Sequence, residues 1–261
     1  MTVALSPPQT DGWPWRFFLL VFVLSIPFYV LGATGARLSS LPLVPTSALM
    51  AFVPMVGASM LVFFQRGASG TLGWCRDLLT SSWWGNVRWY LTAVLFIPVV
   101  CSVEFAVLRL SGSTVPVPQI AFGETLFLFA ALFVAAIGEE VGWQGYAYPA
   151  LRKSMGVLTS ALVLGFVWAL WHVIPFVQLE RSTDWILWHS LSAVALRIII
   201  IWLFENTGGS MIVAVLFYTM INLSWALFPV AGSFYDPLVT FVILAISSVV
   251  IVMRWKLRVR Q

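Results

Sequence analysis

Charge is what this sequence has least of. Asp, Glu, Lys and Arg make up 9% of its 261 residues, where a soluble domain holds close to 25%. That shortage excludes a water-exposed globular fold. Cysteine and histidine are scarce as well, two of each. Cys75 and Cys101 have no metal-like spacing and give no disulfide framework. No internal repeat of the 20–50 residue kind is present.

What is there instead is apolar surface. Hydrophobic residues make up 61% of the chain and the mean hydropathy is +0.96. The composition is that of a polytopic protein whose first partner is the lipid bilayer. A net charge of +4 and a pI near 9.4 raise the question of nucleic acid. The basic residues fall in short loops, so they read as one face of a membrane protein, with no nucleic-acid partner.

Eight apolar segments follow one another, at 13–33, 43–64, 87–110, 121–150, 157–176, 185–204, 209–228 and 237–253. The expected fold is an all-α bundle of about eight transmembrane helices with an intramembrane polar site. Residues 1–12 read as a short disordered tail. Trp13, Trp15 and Arg16 anchor the first segment at the interface, and its long apolar run favours an uncleaved helix over a signal peptide. Residues 65–86, with Arg66, Arg76, Asp77, Trp83 and Trp84, read as a loop lying in the interface. The run 121–150 exceeds one untilted span of about 20 residues, so it reads as a long or tilted helix ended near Pro149. The chain divides into helices 1–3 with the interfacial loop (1–120), a polar-site core (121–228), and a last span with a basic tail (229–261).

Eight spans put both termini on one side. Arg16, Arg66, Arg76, Arg88, Arg152, Lys153, Arg254, Lys256, Arg258 and Arg260 lie there; Arg37, Arg109 and Arg181 lie opposite. The positive-inside rule then places both termini in the cytoplasm, with the plasma membrane the expected location.

Against this background Gly138-Glu139-Glu140-Val141-Gly142-Trp143-Gln144-Gly145-Tyr146 stands out. A carboxylate at membrane depth costs about 2.5–3.5 kcal/mol on insertion scales, so two in succession point to function. On a helix Glu140 and Gln144 share a face, and Glu139 and Trp143 share the next one. Trp168 and His172, and Tyr218 and Asn222, are likewise four apart in later spans. Counted from the turn near Ser154, Glu140 and His172 come within roughly 6 Å of one level if their helices are antiparallel. A carboxylate and an imidazole can hold a water and take its proton. Asn and Tyr donors can stabilise an oxyanion. Together they suit peptide-bond hydrolysis inside a membrane. Taken singly, His172, Asn222 and Tyr218 each suit packing or interhelical hydrogen bonding better than catalysis; it is their convergence with the two carboxylates that points to a site. Glu104 and Glu124, near the outer ends of their spans, read as reaching interfacial water or a polar neighbour. His189 reads as a spare, with no helical partner.

These motifs resemble those of the CPBP family, the CAAX proteases and bacteriocin-processing (Abi) enzymes, which includes the type II CAAX prenyl endopeptidases. Glu139-Glu140-Val141-Gly142-Trp143-Gln144 is similar to its first motif, two glutamates, three free positions, then arginine. Trp168 through His172 resembles the second, an aromatic residue four before a histidine. Tyr218 through Asn222 resembles the third, usually a histidine four before an asparagine. The resemblance spans roughly Phe122 to Ser224. It implies an eight-helix bundle with a cavity open to the cytosol. It also implies that Glu139 activates the water with His172, that Glu140 supports the geometry, and that Asn222 lines an oxyanion hole. Gln144 stands where arginine is usual and Tyr218 where histidine is usual. A neutral hydrogen bond then replaces an ion pair at Gln144, with Arg197 the candidate substitute, and a phenol replaces an imidazole as oxyanion donor.

The implied activity is an intramembrane endopeptidase acting on a membrane-associated or lipidated protein or peptide, in CAAX-type or leader-peptide processing. The favoured reading requires no cofactor. If a zinc ion is used, Glu139, Glu140 and His172 are its candidate ligands. The alternatives are a catalytically weakened relative that binds a peptide as an immunity or scaffold protein, and a small proton-coupled transporter.

Overall fold

The computed structural model describes residues 14–34, 37–38, 41–80, 86–230, 232 and 235–259. The polar tail, Trp13, Trp83, Trp84 and Arg260 of the sequence reading lie outside them. The elements are α1 (Trp15–Ala33), a short antiparallel pairing of β1 (Arg37–Leu38) with β2 (Leu41–Pro45), a 3₁₀ segment (Thr46–Phe52), α2 (Val53–Thr80), α3 (Val87–Leu110), α4 (Phe122–Gly142), a π turn (Trp143–Ala147), α5 (Tyr148–Arg152), α6 (Val157–Gln178), α7 (Thr183–Asn206), α8 (Met211–Leu227) and α9 (Pro237–Val259). The architecture is the expected helical bundle. Among the described residues seven helical stretches are long and apolar enough to cross a membrane, and α8, at 17 residues, is a shorter apolar helix.

The caps follow local chemistry. The Asn86 side chain accepts from the Arg88 amide at the start of α3, and Ser182 accepts from the Trp185 amide at the start of α7. Both use a short side-chain oxygen to pair an otherwise orphaned N–H. Gly208 and Gly209, at φ 69° and 92°, make the tight turn into α8 that a residue with a Cβ resists.

Two expectations are corrected. Most of the loop expected over 65–86 is helix: α2 runs on to Thr80, bent at Gly67, whose φ of 68° and ψ of −174° break the axis. Beyond the bend Trp74 and Leu78, four apart, are buried on one face, which is why this piece holds helical shape. Pro149 does not end the fourth span either. The π turn shifts the hydrogen-bond pairing, and Pro149 then falls in the first turn of α5, where its missing N–H is tolerated.

α7 is the central helix. It packs along α6 and α9, while α4 packs on α2 and α8, and α3 on α8. From Ala193 to Ile201 every α7 residue is buried, as expected of a helix apolar all round. The exception in that run is Arg197, fully buried.

Candidate active site

The glycines around the glutamate pair set its position. A Cβ on Gly138 would lie 2.7 Å from the Ala51 carbonyl oxygen, one on Gly142 2.5 Å from Pro54, and one on Gly145 2.9 Å from Leu78. This face of α4 and the π turn therefore lies directly on the 3₁₀ segment and α2. The carboxylates occupy the other faces.

Glu140 turns to α7. Arg197 Nη1 donates to both of its carboxylate oxygens at 2.9 Å, and both side chains are fully buried. At Gly165, α6 comes so close to α7 that an added Cβ would lie 3.1 Å from Val194 Cα and 3.3 Å from Arg197 Cβ. Breaking one partner of such a buried pair costs about 3–5 kcal/mol, since the other charge is left uncompensated.

Glu139, 5% exposed, turns to α6 and α8. Its Oε2 accepts from the Trp168 indole N–H at 2.9 Å and its Oε1 from the Tyr218 hydroxyl at 2.6 Å. Trp168 joins the whole group. The Arg197 guanidinium carbon stands 4.4 Å from its ring centre, a cation–π contact. The Trp168 backbone carbonyl accepts from His172 Nδ1 at 2.9 Å. A carbonyl can only accept, so Nδ1 carries the proton and the lone pair of the neutral ring sits on Nε2.

His172, Trp168, Tyr218 and Asn222 line one cavity of about 160 Å³. Asn222 Nδ2 makes a long contact, 3.5 Å, to the Tyr218 carbonyl.

The structure thus brings together Glu139, His172, Tyr218 and Asn222, but rearranges their connections. Among the described residues no hydrogen bond joins Glu139 or Glu140 to His172. The direct facing across the α4–α6 hairpin is replaced by Trp168 for Glu139 and by Arg197 for Glu140. Gln144 does not reach Glu140. It is fully buried, and among the described residues both of its amide atoms are unpartnered; it lies in the π turn Trp143–Ala147, which departs from regular i, i+4 spacing. Tyr218 has one hydroxyl proton and gives it to Glu139, so in this arrangement it does not donate to a substrate oxyanion.

Three residues carry more than the sequence assigned them. Trp168 is the link just described. Arg197 is the partner of Glu140, and its standing as the lone basic residue within a span was the signal for it. His189 lines the same cavity as His172. Its ring stacks on Trp185 at 4.6 Å and its Nδ1 meets the Tyr235 hydroxyl at 3.3 Å. The sequence reading of His189 as a spare is corrected: Trp185, four residues earlier in α7, is its helical partner, while Tyr235 comes from the α8–α9 connection and no spacing marks it. Burial, with Glu104 adding to it, raises the Tyr235 hydroxyl well above the ordinary phenol range. Glu104 is itself buried: it accepts from the Asp236 amide at 2.8 Å and the Thr240 hydroxyl at 2.6 Å, tying α3 to the start of α9.

The residues do not fit the zinc centre considered from sequence. Such a centre wants three convergent protein ligands. Both Glu140 oxygens are held by Arg197, both Glu139 oxygens accept from Trp168 and Tyr218, and among the described residues no three His, Cys, Asp or Glu side chains are grouped to hold an ion.

A helical membrane bundle with a carboxylate–indole–imidazole group at its core is the class that fold and site define. Residues 121–224 match the family described as "Type II CAAX prenyl endopeptidase Rce1-like". A curated relative, "CAAX prenyl protease 2" of Methanococcus maripaludis, is 30% identical over 112 residues, which is 40% of each chain. Residues 121–224 are thus similar to the Rce1-like family, and the apolar helices make the chain an integral membrane protein. It matches only about 40% of the length of that relative.

Proposed function

We propose that this chain is an intramembrane endopeptidase that hydrolyses a peptide bond of a membrane-associated or lipidated protein or peptide. The observation that carries the proposal is the Glu139–Trp168–His172 group beside a cavity that also holds Asn222. In this reading His172 Nε2 takes a proton from water as the oxygen attacks the carbonyl carbon. Asn222 Nδ2 donates to the oxygen that becomes negative. Glu139, held by Trp168 and Tyr218, fixes Trp168, whose carbonyl accepts from His172 Nδ1 and so holds the imidazole in the tautomer with Nε2 free. When the C–N bond breaks, the amine nitrogen takes the proton from His172, leaving a free acid and a free amine. Glu140 and Arg197 hold the frame without touching substrate.

No metal takes part in these steps. Cleavage is therefore expected to persist in EDTA or phenanthroline, assayed against a peptide library that includes farnesylated members. Abolition by either chelator, reversed by added zinc, would contradict the metal-free route.

One observation favours a second reading. Both Glu139 oxygens already accept hydrogen bonds, as they would in a relative that binds a peptide without cleaving it. A cellular phenotype that survives Glu139→Ala would select that reading.

A further inference from the structure

Polar residues recur at spacing four where α4 runs through the π turn into α5: Glu140, Gln144, Tyr148 and Arg152. Two of these positions are tied directly to α7. Glu140 is held by Arg197, and the Tyr148 hydroxyl donates to Glu205 at 2.5 Å, with Arg152 Nε 3.7 Å from the same oxygen. Both ties join residues fifty-seven apart in the chain. The α4–α5 strip and α7 therefore run side by side in the same direction and in register across the π turn.

The rung between the two ties is Gln144. The α7 residue at that level is Ile201, fully buried and apolar, so it offers the amide nothing. Gln144 is 0% exposed, and among the described residues its Oε1 and Nε2 are unpartnered. One rung away Arg197, also 0% exposed, has Nε and Nη2 unpartnered, since only Nη1 reaches Glu140. Buried polar groups are ordinarily satisfied, by protein or by ordered water. The spacing suits a single bridging molecule on each side. At 1.5 Å per residue the ties are about 12 Å apart along α7, which puts the Gln144 level about 6 Å from each. A molecule hydrogen-bonded on both sides at 2.7–3.2 Å bridges about 5.4–6.4 Å. Its chemistry is fixed as well. It must accept from the guanidinium N–H groups and donate to the amide oxygen, and the Glu140 charge disfavours an anion. A small neutral group that does both is water.

We propose that Gln144 is a water ligand. One ordered water joins its amide to Arg197 Nε and Nη2, and a second joins it to the Tyr148–Glu205 pair. A polar file then runs from the α5–α6 junction, where Arg152 and Glu205 are about a third exposed, through Tyr148 and Gln144 to the charge pair beside Trp168. It hydrates a pair otherwise enclosed by apolar helices, and it gives that pair a path for exchange of water and protons with this end of the bundle. The file does not depend on the endopeptidase reading: a protein that cleaves nothing holds the same waters.

The sign of one substitution tests the waters. Gln144→Leu keeps the bulk of the side chain and removes its polar atoms. If the amide is merely unsatisfied, the change stabilises the protein. If it holds water against Arg197, the change strands the guanidinium donors, and the melting temperature in lipid is expected to fall by about 3 °C or more. In the Arg197→Met, Glu140→Met background the same change is expected to cost less than half as much. A melting temperature that rises or stays level overturns the proposal, and so does an equal fall in both backgrounds. Solid-state NMR of the full chain labelled with ¹⁵N-arginine reads the water directly. The Arg197 Nε–H signal is assigned by its loss in the double Met variant. It is expected to receive magnetisation from water in the wild type, at least 3-fold more slowly in Gln144→Leu. No transfer in the wild type overturns the proposal even where Gln144→Leu does not fold, and an unchanged rate in a folded Gln144→Leu overturns the path.

Discussion

At the scale of single residues, Trp168 holds the site together. Its indole donates to Glu139, its carbonyl accepts from His172, and its ring lies against Arg197. Trp168→Phe keeps the aromatic body and removes only the donor. It is expected to lower kcat about 10-fold or more with less effect on KM, because the bond it removes acts on orientation; equal losses in both would point to substrate binding instead. Asn222→Ala removes the proposed oxyanion donor and is expected to lower kcat by about 10²–10³, measured on the same peptide. Arg197→Ala leaves Glu140 buried and unpaired. It is expected to destabilise the protein by about 3–5 kcal/mol, read from unfolding in detergent, while Arg197→Met combined with Glu140→Met recovers most of that. A double variant no better than the single one would contradict the pairing as the cause.

At the scale of elements, the glycines hold the glutamates against α2. Gly142→Ala puts a methyl group 2.5 Å from Pro54, and overpacking of this kind costs about 1–3 kcal/mol. Gly123→Ala, in the first turn of the same helix with nothing within 4 Å of the added carbon, is expected to be neutral or slightly stabilising. Unfolding of the two variants side by side checks this; equal stability would mean that the close approach at Gly142 does not hold. The same elements mark where sequence reading reaches its limit. Spacing four brought Trp168 with His172, and Tyr218 with Asn222, because a regular helix repeats every 3.6 residues. It failed for Gln144, since a π turn leaves no mark in a pattern of apolar residues. It failed for 65–86 because helix and interfacial loop have similar composition there. The pairing of Glu140 with Arg197, fifty-seven residues apart, depends on which helices become neighbours, and periodicity along one helix does not contain that.

At the scale of the whole molecule, the number of apolar helices and the sidedness of charge were legible in composition alone. The depth of the cavity was not. It needed α6, α7 and α8 to be set against one another, which spacing along any one helix does not do. Walls from outside residues 121–224 line the cavity as well: Ile97 and Val100 come from α3, Tyr235 from the α8–α9 connection, and Thr240 and Leu244 from α9. The core segment is therefore expected not to retain activity when expressed without α3 and α9.

The most direct measurement is cleavage of a membrane-presented peptide library by purified protein in lipid, with wild type, Glu139→Gln, His172→Ala and Gly123→Ala compared at equal folded concentration. The account predicts products with wild type and Gly123→Ala, and losses of about 10²–10⁴ with Glu139→Gln and His172→Ala. Equal cleavage by wild type and Glu139→Gln, or none by any of them, would contradict it.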